Sequence, residues 1–223
     1  MIITKFKLRV LTAALLFSSS TLFAAVTDPE ATTGIEHKQL ATATHYMASA
    51  ANPLAVKAGE QILAKGGSAV DAAISMQLVL GLVEPQSSGI GGGLFLLHWD
   101  KQKTSLTSID GRETAPSAAG PDLFVQNGQV MSWRDAFVGG KSVGVPGVIK
   151  ALELAHQRYG VLPWAELFAP AIQIAEQGFV VSPRLAGLLS GGWTPSVEKF
   201  SAGQAYFKPE GQWLKAGFLR KNP

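Results

Sequence analysis

The residues best suited to grip a ligand lie in Asp110-Gly111-Arg112-Glu113. An arginine offers a rigid fork of donors that fits a carboxylate bidentately. Arg112 falls just past a predicted strand, where a sheet can hold its guanidinium still. By residue type alone, a surface arginine paired with Glu113 or Asp110 is the favoured reading. Upstream stands a glycine cluster, Gly89, Gly91, Gly92 and Gly93. A phosphate loop needs a helix to follow, so that amide N–H groups and the helix dipole converge on the anion. Here a run of β-formers follows and G-x-G-x-x-G is not met. Close backbone packing is the better reading of these glycines.

Other chemistry is weaker. Asp71 could act as a catalytic carboxylate, but a charge in a first helical turn reads as a cap. Gly140-Lys141-Ser142 resembles the end of a nucleotide-binding loop, yet Asp135 occupies the position where that motif needs glycine. Ser196 and Lys199 have the S-x-x-K spacing of a serine acylase without its companion motifs. Ser87-Ser88-Gly89 is not a nucleophile elbow. His37, His45, His98 and His156 are scattered, so no metal site is expected. His98 reads as structural and His156 as a solvated or core-edge residue. The chain has no cysteine, which excludes thiolate nucleophiles, thiolate metal sites and disulfides. The five tryptophans are expected in the core or at its edge.

The elements that must position Arg112 follow from pattern. Leu94 to Trp99 and Thr104 to Ile109, joined by the polar break Asp100 to Lys103, predict a β-hairpin. Ala41 to Ala51 is expected as a first strand. Asn52-Pro53 opens a helix with asparagine as N-cap and proline in its first turn, stopped by Gly66-Gly67. Ser68 caps a second helix, Ala69 to Val83, which is apolar nearly all round and therefore buried. Thr114 to Gly140 reads as loop with one short element near Leu123 to Gln126. Helices are expected over Val148 to Tyr159, from Pro163-Trp164 to Glu176, and from Pro183 onward, covering one sheet face. From Gly191 the pattern dissolves.

Composition bounds the rest. A chain of 223 residues with 47% hydrophobic content can bury a real core. Residues 1–25 carry Lys5, Lys7 and Arg9 and no acid; the apolar run Val10 to Phe17 and then Leu22-Phe23-Ala24-Ala25 follow. This is the order of a secretory signal, with cleavage expected after Ala24 or Ala25 and a periplasmic or secreted product. The apolar run is too short for a bilayer span, which needs about 20 residues, so no membrane attachment is expected after cleavage. Losing the three cations takes the formal charge from +3 to 0. No basic surface is left for nucleic acid. Residues 26–44 read as a mobile leader and 45–223 as the folded part.

Four stretches also carry a resemblance: Gly66 to Ala73 (GGSAVDAA), Glu84 to Phe95 (EPQSSGIGGGLF), Asp110 to Pro116 (DGRETAP) and Ser142 to Gly147 (SVGVPG). In this order they resemble the N-terminal part of the large chain of the γ-glutamyltransferases, also called glutathione hydrolases. The resemblance implies an α+β fold, part of the four-layer αββα sandwich of the N-terminal nucleophile hydrolases, incomplete in this chain. It implies cleavage of γ-glutamyl amides such as glutathione, and transfer of the γ-glutamyl group to water or an amine through an acyl-enzyme on a threonine. That threonine opens a small chain of the same precursor and is not among these residues, so no catalytic residue is expected here. The resemblance assigns Arg112 to the α-carboxylate of the γ-glutamyl group and implies no cofactor and no metal. In the family the sequence continues as a helix from the position of Asn222-Pro223, and the chain is read as cut short. Two other readings stay open. One is a related amidase of the same fold, of the cephalosporin acylase or poly-γ-glutamate-cleaving type. The other is a non-catalytic γ-glutamyl-binding or assembly module.

Overall fold

The computed structural model describes residues 40–191 and 197–222. The secretory-signal expectation and the Ser196 half of the S-x-x-K spacing lie outside the described residues. Helix α1 (Pro53–Ala64) is capped as its sequence predicts: the Asn52 side chain accepts the Leu54 N–H at 3.0 Å. It ends where Gly66 takes a φ of 86°, a conformation that costs glycine little. Helix α2 (Ala69–Val83) opens on a capping box formed by Ser68 and Asp71.

Helix α2 is the spine of the fold because it is apolar on every side. Its Val70, Ile74 and Leu78 face one core cluster, with Ile62 of α1 and Ile109. Its Val79 and Val83 face a second, with Phe179, Leu185 and Leu214. A helix with no polar face gains nothing from solvent, and burial on both sides is the stable outcome.

The hairpin forms as expected. Strand β1 (Leu94–Asp100) pairs antiparallel with β2 (Ser105–Gly111), from Leu94 opposite Gly111 to Asp100 opposite Ser105. The turn is held by the Asp100 carboxylate, which accepts the Gln102 and Lys103 N–H groups at 2.9 and 3.1 Å. The Lys103 backbone donor first, and after it the Lys103 side chain and the Gln102 N–H, hold the Asp100 carboxyl below the usual aspartate range, against the opposing effect of desolvation. Period-2 alternation sends Leu96 and Ile109 to the inner face, where helices cover them. It leaves Phe95, Leu97, Trp99 and Leu106 on the outer face, each more than half exposed.

The rest is helical cover and connection. Strands β3 (Val125–Gln126) and β4 (Gln129–Val130) make a small hairpin, and α3 (Trp133–Phe137) follows. Helix α4 (Val148–Tyr159) lays Val148, Ala151 and Leu152 against Ile109. A 3₁₀ turn, Trp164–Phe168, leads into α5 (Ala169–Gln177), which ends at Gly178 with a φ of 93°. Strand β5 (Phe179–Val180) and α6 (Pro183–Ser190) come next, then α7 (Ser201–Phe207) and β6 (Leu219–Arg220), which pairs with β5.

Three expectations are corrected. Ala41 to Ala51 forms no strand; no described strand lies beside it to supply the ladder hydrogen bonds a strand requires. The stretch after Gly191 is not patternless. It contains α7, and it returns to the fold through β6 and through Leu214, which is buried in the second core cluster. Trp99 and Trp133 are exposed rather than core or core-edge, because Trp99 alternates to the outer hairpin face and Trp133 opens a five-residue surface helix. No described helix is long and apolar enough to cross a membrane.

Candidate functional site

Arg112 leaves the sheet one residue past β2, and the backbone around it is fixed by close packing at glycine. A Cβ on Gly111 would sit 2.5 Å from the Ala151 Cβ, and a Cβ on Gly147 would strike the Gly111 carbonyl oxygen. These two glycines let the start of α4 lie directly on the end of β2. The Gly147 and Val148 N–H groups then donate to the Gly92 carbonyl at 3.0 and 3.2 Å. Two of the amides at the start of this helix are thereby satisfied by the glycine cluster rather than by an anion. Close packing accounts for Gly93, whereas a Cβ on Gly92 would meet only ordinary contact, 3.4 Å from Glu113 Oε1. Gly93 is pressed against Glu113, where a Cβ would lie 2.5 Å from Oε2 and 2.9 Å from the backbone nitrogen. Gly89 and Gly91 have open space around them.

The Asp110 carboxylate accepts the Arg112 backbone N–H at 2.9 Å and fixes the bend out of the strand. Just beyond, Thr114 and Val145 form an antiparallel bridge, with the Val145 N–H donating to the Thr114 carbonyl at 2.8 Å. The Arg112 side chain is 70% exposed, and its Nε lies 3.4 Å from Glu113 Oε2. The local pairing expected from residue type is therefore present. It leaves most of the guanidinium open to a ligand. Arg112 and Glu113 line a cleft of about 390 Å³ together with Pro116, Phe124, Lys141 and Val143. That volume is within the range of small-molecule sites, about 300–1,000 Å³.

Asp71 is a cap and more than a cap. It is fully buried. Its Oδ2 accepts the Ser68 N–H at 2.8 Å, and also the Val161 and Leu162 N–H groups at 2.9 and 3.2 Å. The carboxylate thus staples the start of α2 to the loop after α4. His156 completes the corner, with Nε2 at 2.8 Å from the Leu162 carbonyl and 3.8 Å from Asp71 Oδ1. His98 stacks on Tyr159 with ring centroids 3.9 Å apart, as a structural residue. Among the described residues, no group of three His, Cys, Asp or Glu is placed to hold a metal.

One network escaped the sequence. Glu84 is 3% exposed. Its Oε1 accepts from the Asn52 side chain at 2.9 Å; its Oε2 accepts from Gln86 at 2.7 Å and from Arg184 Nη1 at 3.0 Å. The carboxylate ties the start of α1, the turn into the glycine cluster, and α6 at one point. A glutamate between an apolar helix and a proline was the available signal. Its partner lies 100 residues away, beyond the reach of spacing arguments.

A model of the gamma-glutamyltranspeptidase family matches residues 55–223. The glutathione hydrolase proenzyme of Bacillus subtilis (strain 168) is 40% identical over 185 residues, covering 82% of this chain and 31% of that protein. The structure of Helicobacter pylori gamma-glutamyltranspeptidase superposes with a TM-score of 0.77 at 29% identity, over 82% of this chain and 52% of that one. The Bacillus anthracis transpeptidase CapD superposes at 0.64 with 36% identity, over 80% of this chain and 54% of that one. The chain thus spans between 19% and 31% of the length of the curated relatives it matches. Its mixed helices and strands are part of the N-terminal nucleophile hydrolase fold of these structures. With the family model matched from Ala55 to the final residue and the motif glycines packed around Arg112, this chain belongs to the gamma-glutamyltranspeptidase family.

Proposed function

We propose that this chain forms the glutamate-gripping side of an enzyme that cleaves γ-glutamyl amide bonds, as in glutathione, and passes the γ-glutamyl group to water or an amine. Arg112 holds the α-carboxylate of the γ-glutamyl group. The observation that carries this reading is the largely open guanidinium at the end of a rigid hairpin, lining a cleft of about 390 Å³. A bidentate carboxylate needs a fork held in place on one side and open on the other. The Asp110 bond to the backbone and the Glu113 contact at Nε supply the first condition.

The chemistry falls to a threonine outside these residues. Its oxygen attacks the γ-carbonyl carbon, with its own amino group as base. The C–N bond breaks as the proton passes to the departing amine. Water or an acceptor amine then attacks the acyl ester and frees the threonine. The exposed apolar face of Phe95, Leu97, Trp99 and Leu106 is, in this reading, the seat of a sheet from the threonine-bearing chain. The 223-residue chain by itself is expected to release no product from a γ-glutamyl anilide. We further read residues 1–25 as a secretory signal, placing the enzyme in the periplasm or outside the cell.

The test is kinetic. In the processed enzyme, Arg112→Ala lowers kcat/KM for a γ-glutamyl anilide by about a hundredfold or more, the loss of a charge-assisted bidentate contact. A loss below about threefold would remove Arg112 from the site.

A further inference from the structure

Arg112 is not alone in its cleft. Lys141 lines the same cavity. The two residues come to it from different segments of the chain. The antiparallel Thr114–Val145 bridge brings these segments side by side. The lining also includes the apolar residues Pro116, Ala119, Leu123, Phe124 and Val143.

The turn that carries Lys141 is held in place. Gly140–Ser142 is a single 3₁₀ turn, closed by the Val143 N–H on the Gly140 carbonyl at 3.3 Å. The Ser142 hydroxyl donates to the Phe137 carbonyl at 2.9 Å, which anchors the turn to the end of α3. Arg112 has Glu113 beside it, whereas among the described residues Lys141 makes no ion pair. The cleft lining therefore holds two cations, Arg112 and Lys141, several apolar residues, and one acidic residue, Glu113, next to Arg112.

We propose that Lys141 sets donor specificity by taking a second carboxylate of the γ-glutamyl compound whose α-carboxylate lies on Arg112. This rests on the Arg112 reading and deepens it. The donor class it selects is γ-glutamyl compounds that carry a further carboxylate on the departing amine, over neutral γ-glutamyl amides. An ammonium on a flexible four-carbon stem is a point charge without a fixed fork. It selects for the charge and tolerates donors of different length.

The experiment compares γ-glutamylglycine with γ-glutamylglycinamide in the processed enzyme that contains this chain. Their intrinsic reactivities differ, but the change in their kcat/KM ratio between variants cancels that difference. Lys141→Gln is expected to lower the preference for the acid about fivefold, through a higher KM for the acid. Lys141→Arg is expected to keep it. An unchanged ratio in Lys141→Gln, or equal losses on both donors, overturns the proposal. Arg112→Gln separates the two ideas. If it lowers both donors while Lys141→Gln leaves the ratio alone, only the Lys141 role fails. If Arg112→Gln leaves both donors untouched, the clamp fails and the Lys141 role fails with it.

Discussion

Replacing Asp71 tests whether this buried carboxylate is structural, and the structure gives the size of the effect. Asp71→Ala removes the acceptor of three N–H groups, those of Ser68, Val161 and Leu162. The capping part is worth about 1 kcal/mol. The Val161 and Leu162 amides lie in a partly buried corner, and each costs about 1–3 kcal/mol when left without a partner. The expected loss is therefore about 3–7 kcal/mol, a large share of a domain stability of about 5–15 kcal/mol. Asp71→Asn keeps one acceptor oxygen and loses the charge; it is expected to cost about 1–2 kcal/mol. Ser68→Ala removes only the other half of the capping box and costs about 1 kcal/mol. Urea unfolding of the three variants should give that order. Hydrogen exchange at Val161 and Leu162 should rise sharply in Asp71→Ala and stay slow in Ser68→Ala. Equal destabilisation by Asp71→Ala and Ser68→Ala would refute the staple. A loss of turnover in Asp71→Asn with stability intact would instead make the carboxylate chemical.

Three further outcomes follow from the same structure. Glu84→Gln leaves Arg184 without its carboxylate and is expected to cost about 2–3 kcal/mol in urea unfolding, the low side for a broken buried pair because Arg184 is partly exposed; combined with Arg184→Met it should cost less than the two single changes added, and strict additivity would contradict the pairing. Gly147→Ala drives a Cβ into the Gly111 carbonyl and should shift α4 off the hairpin, read as a lost 3.0 Å contact between the Gly147 amide and Gly92 in amide exchange; wild-type protection would refute it. The Asp100 carboxyl is held low in the folded chain, so its contribution to the β1–β2 turn is present above the usual aspartate range and is lost only as pH falls through the depressed value. Gln102 and Lys103 amide signals should follow that low titration, and a titration at the ordinary aspartate range would contradict the turn geometry.

What could be read from the chain was what depends on near neighbours. Asn52-Pro53, Ser68 and the all-apolar run to Val83 act within a turn or two, and α1 and α2 stand where those residues put them. The β1–β2 hairpin needed only alternation and a polar break. The β3–β4 hairpin carried a strong local signal as well. Asn127-Gly128, both at positive φ, is a favoured two-residue turn, but the flanking strands are only two residues long, too short for alternation to mark them. What could not be read was long-range. Ala41 to Ala51 has strand composition, but composition does not supply a partner. Helix α7 is short and depends on its surroundings, with no side-chain cap to announce it. At the site, Arg112 was legible as a residue type in a motif. Its cleft with Lys141 was not, because the segment from 141 to 145 meets the 112–116 segment through long-range contacts such as the Thr114–Val145 bridge.

The central claim is that Arg112 reads an α-carboxylate, and one comparison addresses it most directly. A γ-glutamyl anilide and its 4-aminobutyryl counterpart differ only in that carboxylate. The account predicts that the processed wild-type enzyme prefers the γ-glutamyl anilide by about a hundredfold or more in kcat/KM, and that Arg112→Ala reduces this preference to within a few-fold of one. A preference that survives Arg112→Ala unchanged would show that another group holds the carboxylate, and would contradict the assignment of the site.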